Sequence, residues 1–332
     1  MIIGNDKYTL GRTGHLIKKD APSLDLAAQI VGEYLNSTAF KIERVLSGVS
    51  TYVYRIRLGE ETLYLRVLPE QERSLGVEVH VHSLVRRMGV QVPEVIHFEH
   101  HNEVLGMSVM LVKEIPGSSV EDCISNGEYE DILYQAGQQI AVIHQVKVDG
   151  FGWIIRDQEQ YGNSLRGEKK TLQDYICPYL EEDLFLLSQK VFSKVETSQI
   201  TDIINSGMEL MSGHEAHLVH GDFDDSHIFQ QAGKYTGIID FGEIQGSSPL
   251  YDLGHFKLHD GQRYYGFDSL AKRYDAVTSL SYYDLLEIDL WALWIGVRRL
   301  GMICGRTWGC YHEHLIKTVT MEMELLKNKL KL

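Results

Sequence analysis

The chain has 332 residues, a net charge of −14, 44% hydrophobic and 23% charged residues. That balance fits a soluble globular protein with room for two lobes. Its acidity argues against nucleic-acid binding, which needs clustered Lys and Arg. The most apolar run, "LWALWIGV" (290–297), is far shorter than a membrane span and ends at Arg298 and Arg299, so a buried helix and no membrane partner are expected. The acidity is uneven. Residues 1–115 carry 13 Lys+Arg against 14 Asp+Glu, and the remainder 19 against 32. An acidic second part suits plain solubility or a cationic ligand. The opening "MIIGNDKYTL" is too polar for a secretory signal, and cysteines at 123, 177, 304 and 310 lack a metal or redox spacing. A cytoplasmic protein with reduced, buried thiols is expected.

In chain order, the first twenty residues read as a weakly ordered arm. Residues 23–35 have helical spacing with Ser23 as cap. A strand-rich block follows: "FKIERVLSG", "TYVYRIRLG" and "TLYLRVLP" alternate apolar and polar residues, with turns at Gly48 and at 59–61. Residues 76–89 fit a helix. "VPEVIHFEH" and "LGMSVMLVKEI" read as two more strands, and 115–119 as a break. Beyond it the chain turns helical: 129–146 is a strong amphipathic helix, and 171–210 and 282–330 are mostly helical. Short strands return only around 218–241. The expected architecture is α+β and bilobal, with a small β-rich lobe over 1–115, a larger mainly α-helical lobe over 116–332, and a ligand cleft between them.

The chemistry concentrates in "LVHGDFDDSHIF" (218–229) and "TGIIDFGEI" (236–244). Asp222 precedes His227 by five residues, and His227 precedes Asp240 by thirteen. Phosphoryl-transfer loops of the kinase type use an Asp as base, a polar metal ligand five residues on, and the Asp of Asp-Phe-Gly. The apolar segments around "QQAGKY" suit a hairpin that sets His227 beside Asp240, close enough to share a metal ion.

On these residues, together with "YDLG" (251–254), "YLRVLP" (64–69), "VKEIPG" (112–117) and "GFGW" (150–153), the chain resembles the aminoglycoside phosphotransferase family, whose fold is like that of eukaryotic protein kinases. The resemblance covers about residues 38–260. It implies an enzyme transferring the γ-phosphate of ATP or GTP to a hydroxyl of a small molecule, with Mg²⁺ as cofactor. Asp222 becomes the catalytic residue, and His227 and Asp240 the metal ligands. Most members have Asn where this chain has His227; some aminoglycoside and macrolide phosphotransferases carry His. Arg66 stands where the kinase pattern has Lys, its guanidinium suited to phosphate oxygens. Glu78 is its expected partner, with Glu72 the rival.

Ser47, Gly48 and Ser50 form a weak glycine loop for phosphate; an ordinary hairpin turn reads equally well. Glu114 and Ile115 lie in the "VKEIPG" hinge, where backbone groups read a purine. His220 and Asp252 are expected to brace the catalytic loop. Asp224, Asp225, Glu243, Asp260 and Asp268 are candidate contacts for a polyamine. Trp291 and Trp294, with Tyr282 and Tyr283, are candidates for a sugar-binding wall, with core packing the commoner fate of such residues. His80 and His82, two apart on one helix, point to different faces and read as surface histidines. An aminoglycoside is the favoured acceptor. Macrolide phosphotransferase, homoserine- or sugar-type metabolite kinase, and catalytically inactive nucleotide-binding regulator are the alternatives.

Overall fold

The computed structural model describes residues 18–46, 50–122, 126–156, 164–260 and 265–331. Most of the N-terminal arm, Ser47, Gly48 and Cys123 lie outside the described residues.

Ser23 caps α1 (Leu24–Leu35), its Oγ accepting from the Leu26 N–H at 3.2 Å, as a hydroxyl at that position does for the free N–H groups of a first helical turn. The alternating segments become β1 (Lys41–Val45), β2 (Tyr52–Leu58) and β3 (Glu61–Val67). Then come α2 (Gly76–Arg87), β4 (Val95–Asn102) and β5 (Met107–Lys113). The five strands form one antiparallel sheet in the order β1-β2-β3-β5-β4. Tyr54, Ile56, Leu63 and Leu65 are buried on it with Ala27 and Ile30 of α1.

The expected break at 115–119 ends in the two-residue strand β6 (Ser118–Ser119); α3 (Asn126–Ile143), β7 (Phe151–Ile154) and β8 (Gly167–Lys169) follow. Helices α4 (Leu172–Leu187) and α5 (Lys194–Met211) follow. The motif region supplies β9 (His217–Val219), β10 (Ile228–Gln231), β11 (Lys234–Ile238) and β12 (Gln245–Ser247). The chain ends in α6 (Tyr251–Asp260), α7 (Tyr265–Val277), α8 (Tyr282–Ile303) and α9 (Cys310–Leu330). The small sheet β8-β7-β12-β9 was not anticipated; its strands are three or four residues long, too short to show a period of two.

The largest core lies in this helical part. Trp291 and Trp294 are 0% and 1% exposed within it. Both indoles pack against Tyr251, and the Trp291 N–H donates to Glu287 Oε1 at 3.0 Å. They are therefore core residues and not a sugar-binding wall. Tyr282 and Tyr283 are exposed at the start of α8, away from any cleft wall named below. His82 is likewise corrected: it is buried, not a surface residue. The thiols also depart from expectation, Cys177 and Cys304 being half-buried and Cys310 exposed, all three free.

Candidate active site

The hairpin β10–β11 pairs Ile228 with Ile238, and the Ile239 N–H donates to the His227 carbonyl at 3.0 Å. This register sets His227 Nε2 4.0 Å from Asp240 Oδ2, the juxtaposition expected from the spacing. Asp240 itself sits at φ +61, a conformation costly for a non-glycine residue and concentrated at functional sites. Upstream, the loop before Asp222 is fixed by Asp252. Its carboxylate accepts from the His220 and Gly221 N–H groups at 2.7 and 2.9 Å and lies 2.8 Å from His144 Nε2. His220 Nε2 contacts the Ile239 carbonyl at 2.8 Å, tying the loop to the strand that leads into Asp240. Gly221 adopts φ +84, and a Cβ there would meet the Glu243 carbonyl oxygen at 1.9 Å; only glycine fits.

Asp222 is held from behind. Arg299, near the end of α8, donates to its Oδ1 at 2.5 Å, and His255 Nε2 of α6 stands 3.3 Å from the same oxygen. Desolvation would raise the Asp222 carboxyl, but Arg299, then His255 and His227, outweigh it and hold it far below the usual carboxylate range. Desolvation would lower His227. Asp224, Asp222 and Asp240 outweigh that and push it up to about 9. Its Nδ1 faces the Asp222 carbonyl at 2.7 Å, leaving Nε2 toward Asp240.

From the sheet, Arg66 on β3 bridges two carboxylates: Nη1 meets Glu78 on α2 at 2.7 Å and Nη2 meets Asp240 at 3.3 Å. Glu78, not Glu72, is the partner. Its other oxygen is taken by Arg156 at 2.8 Å, and Arg156 also donates to the Gly242 carbonyl at 2.5 Å. Ser50 is exposed, and its Oγ would lie 3.8 Å from a Cβ on Gly242, beside Arg66 and Asp240. At the hinge, Glu114 Oε1 accepts from Tyr64 Oη at 2.9 Å. The Glu114 N–H is taken by the Thr62 carbonyl at 3.1 Å. Ile115 packs toward Gly237 of β11.

A cleft of about 620 Å³ opens at Asp222, lined also by Asp224, Asp225, Glu121, His259 and Tyr311. A smaller hollow of about 450 Å³ between α4 and α5 has none of these groups and a largely apolar wall. Of the five acidic candidates, Asp224 and Asp225 face the cleft. Glu243 is half-buried, its carboxyl pushed up mainly by desolvation and lowered by Arg299, and it is not part of the cleft wall. Asp260 is buried, accepting from the Phe267 N–H at 2.9 Å and the Tyr129 hydroxyl at 3.3 Å; it braces α7. Asp268 is exposed in the first turn of α7, off the cleft wall. Sequence reasoning missed Arg299, Arg156, His255 and His259. One signal was present: two arginines closing a wholly apolar helical run must find carboxylates or lie exposed.

The model of the phosphotransferase enzyme family matches residues 41–276. The chain belongs to that family: a phosphotransferase of the kinase type, with an α+β, bilobal, protein-kinase-like fold. It is 26% identical over 213 residues to an aminoglycoside 3'-phosphotransferase of Enterococcus faecalis, an alignment covering 60% of this chain and 72% of that enzyme. Among solved structures, the GDP complex of aminoglycoside 2'-phosphotransferase-IIIa superposes with a TM-score of 0.64 at 16% identity, covering 91% of this chain and 98% of that one. A thermostable mutant of aminoglycoside phosphotransferase APH(4)-Ia, in ternary complex with ADP and hygromycin B, gives 0.63 at 16%, covering 91% and 96%. Among the described residues, no helix is long and apolar enough to cross a membrane.

Proposed function

We propose that the chain transfers the γ-phosphoryl group of ATP or GTP to a hydroxyl of an aminoglycoside-type polycation. The observation that carries this reading is the cleft in which Asp222, Asp224, Asp225 and Glu121 face one space, joined through His227 to Asp240 and Arg66. Acidic walls attract and orient ammonium groups. The names of the similar enzymes point the same way.

In this reading residues 1–115 form the nucleotide lobe and 116–332 the acceptor lobe. Asp222 orients the acceptor hydroxyl and takes its proton as the bond to phosphorus forms. Its depressed basicity is no obstacle, because phosphoryl transfer depends mainly on placement and charge stabilisation. Arg66 offers its guanidinium to phosphate oxygens, and Glu78 and Arg156 keep it in place. The hinge carbonyl of Glu114 meets the purine edge.

The donor set fits a divalent cation. Asp240 is an exposed carboxylate, held below the usual range by Arg66 and His227 although desolvation opposes it. His227 adds a nitrogen once it gives up the proton it shares with its carboxylate neighbours. Mg²⁺ prefers oxygen, so Asp240 and the nucleotide's own phosphates are the main ligands and His227 a secondary one. Such an ion neutralises charge on the phosphates.

Thermal unfolding with Mg²⁺, a non-hydrolysable nucleotide and one candidate acceptor at a time tests the reading. An aminoglycoside should raise the melting temperature beyond nucleotide alone. A macrolide or sugar that does so, with aminoglycosides inert, would reassign the acceptor.

A further inference from the structure

Two histidines share one face of α6: His255 is buried against Asp222, and His259 lines the cleft. His255 Nδ1 lies 3.0 Å from the Phe223 carbonyl, and His259 Nδ1 lies 2.9 Å from the His255 carbonyl. A carbonyl only accepts, so each Nδ1 donates to the backbone and Nε2 is the ring atom left for a metal; His255 Nε2 also stands 3.3 Å from Asp222 Oδ1. The two rings stack with centroids 4.4 Å apart. Their spacing of four residues places both on the same side of the helix. The ligand atoms of His255, His259 and the Asp224 carboxylate all lie within 4.8 Å of one another, and Asp224 and His259 reach the cleft.

We propose that Asp224, His255 and His259 form a second metal site, for a divalent transition ion of the Zn²⁺ or Co²⁺ class, in the floor of the acceptor cleft. Two imidazole nitrogens and one carboxylate oxygen are a donor set that such ions take in preference to Mg²⁺. Backbone carbonyls on both Nδ1–H groups are the outer hydrogen bonds that orient metal-binding histidines. Asp224 and His259 reach the cleft, so water or an acceptor heteroatom would complete the coordination from that side. The site adjoins the nucleotide-side pair His227 and Asp240, since Asp224 Oδ1 also lies 3.4 Å from His227 Nδ1.

Asp224 Oδ1 already accepts from the Ser226 N–H and hydroxyl, and at the two imidazoles two further contacts compete with the ion. The Tyr311 hydroxyl donates to His259 Nε2 at 2.9 Å and turns aside on binding. Arg299 Nη2 lies 3.1 Å from His255 Nε2; it opposes a cation by charge and occupies the lone pair. Removing that guanidinium therefore strengthens the site. The ion's effect on turnover rests on the phosphotransfer reading: Zn²⁺ would block the acceptor and leave nucleotide binding intact. Metal binding itself stands apart from that reading.

The test is a Co²⁺ titration of the full chain without nucleotide, followed by visible d–d absorption. The proposal expects one coloured Co²⁺ per chain, bleached by one equivalent of Zn²⁺. The colour should be lost in His259→Ala and Asp224→Asn, kept in Asp240→Asn, and half-saturated at about tenfold lower Co²⁺ in Arg299→Gln. Absence of colour in the wild-type chain would overturn it. So would colour that survives His259→Ala in a chain of native circular dichroism, or that vanishes in Asp240→Asn.

Discussion

Arg299 donates to the Asp222 carboxylate at 2.5 Å from 77 residues further along the chain. The residue proposed to receive the acceptor proton is thus tied to the last turns of α8. Arg299 acts through Asp222 as a positioning residue. Asp222→Asn should lower kcat by ~10²–10⁴, the usual loss for a general base. Arg299→Ala should lower kcat in the wild-type background and have little further effect in Asp222→Asn, since residues acting as a unit are not additive. Additive losses in a double-mutant cycle would show that Arg299 works elsewhere.

Glu78 is the hub of the sheet-to-loop connection, its side chain 1% exposed between Arg66 and Arg156. Breaking one partner of a buried ionic network leaves charge unpaired and costs about 3–5 kcal/mol. Urea unfolding of Glu78→Gln should show a loss of that order. Arg66→Lys should be milder for stability and should raise the nucleotide KM, because one ammonium cannot reach Glu78 and Asp240 with the same planar fork. An unchanged KM would remove Arg66 from the nucleotide site.

His82 should make the protein's stability sensitive to acid. It is 2% exposed on α2, edge-on to Phe241 at 5.0 Å, with Nδ1 2.9 Å from the Pro93 carbonyl. Burial, opposed by the Pro93 hydrogen bond and Glu78, lowers its pKa to about 4 from 6.5. The unfolded chain takes up a proton below pH 6.5 while the folded one resists until about pH 4. Stability from this group is therefore complete above 6.5 and falls as pH drops through that window. Linkage sets the full loss at up to about 3 kcal/mol. His82→Asn keeps a donor for Pro93 and should flatten the acid limb of a stability–pH curve by that amount. An unchanged limb would assign the acid loss to other groups.

The catalytic hairpin was legible because its parts are local. Five residues from Asp222 to His227, a tight turn at Ala232 and Gly233 with positive φ at both, and matched apolar segments leave little freedom. The first three strands of the five-strand sheet were legible from alternation, and the Arg66–Glu78 pair from a kinase-like pattern. Of the cleft wall beyond Asp222 and His227, only Asp224 and Asp225 were legible. His255 and His259 sit in a helix whose residues are nearly all buried, so no polar face marks them out. Asp260, Trp291 and Trp294 looked available because their types suit a sugar or amine, yet type says nothing of direction. Arg299 and Arg156 meet their carboxylates across 77 and 78 residues, a pairing that only the packed chain reveals.

The most direct measurement is phosphate transfer from γ-labelled ATP and GTP to a panel of aminoglycosides, with wild type and Asp222→Asn side by side in Mg²⁺. The account predicts a phosphorylated aminoglycoside from at least one nucleotide with wild type, and a loss of ~10²-fold or more in the variant. No labelled aminoglycoside from either nucleotide, or equal transfer by the two proteins, would contradict it.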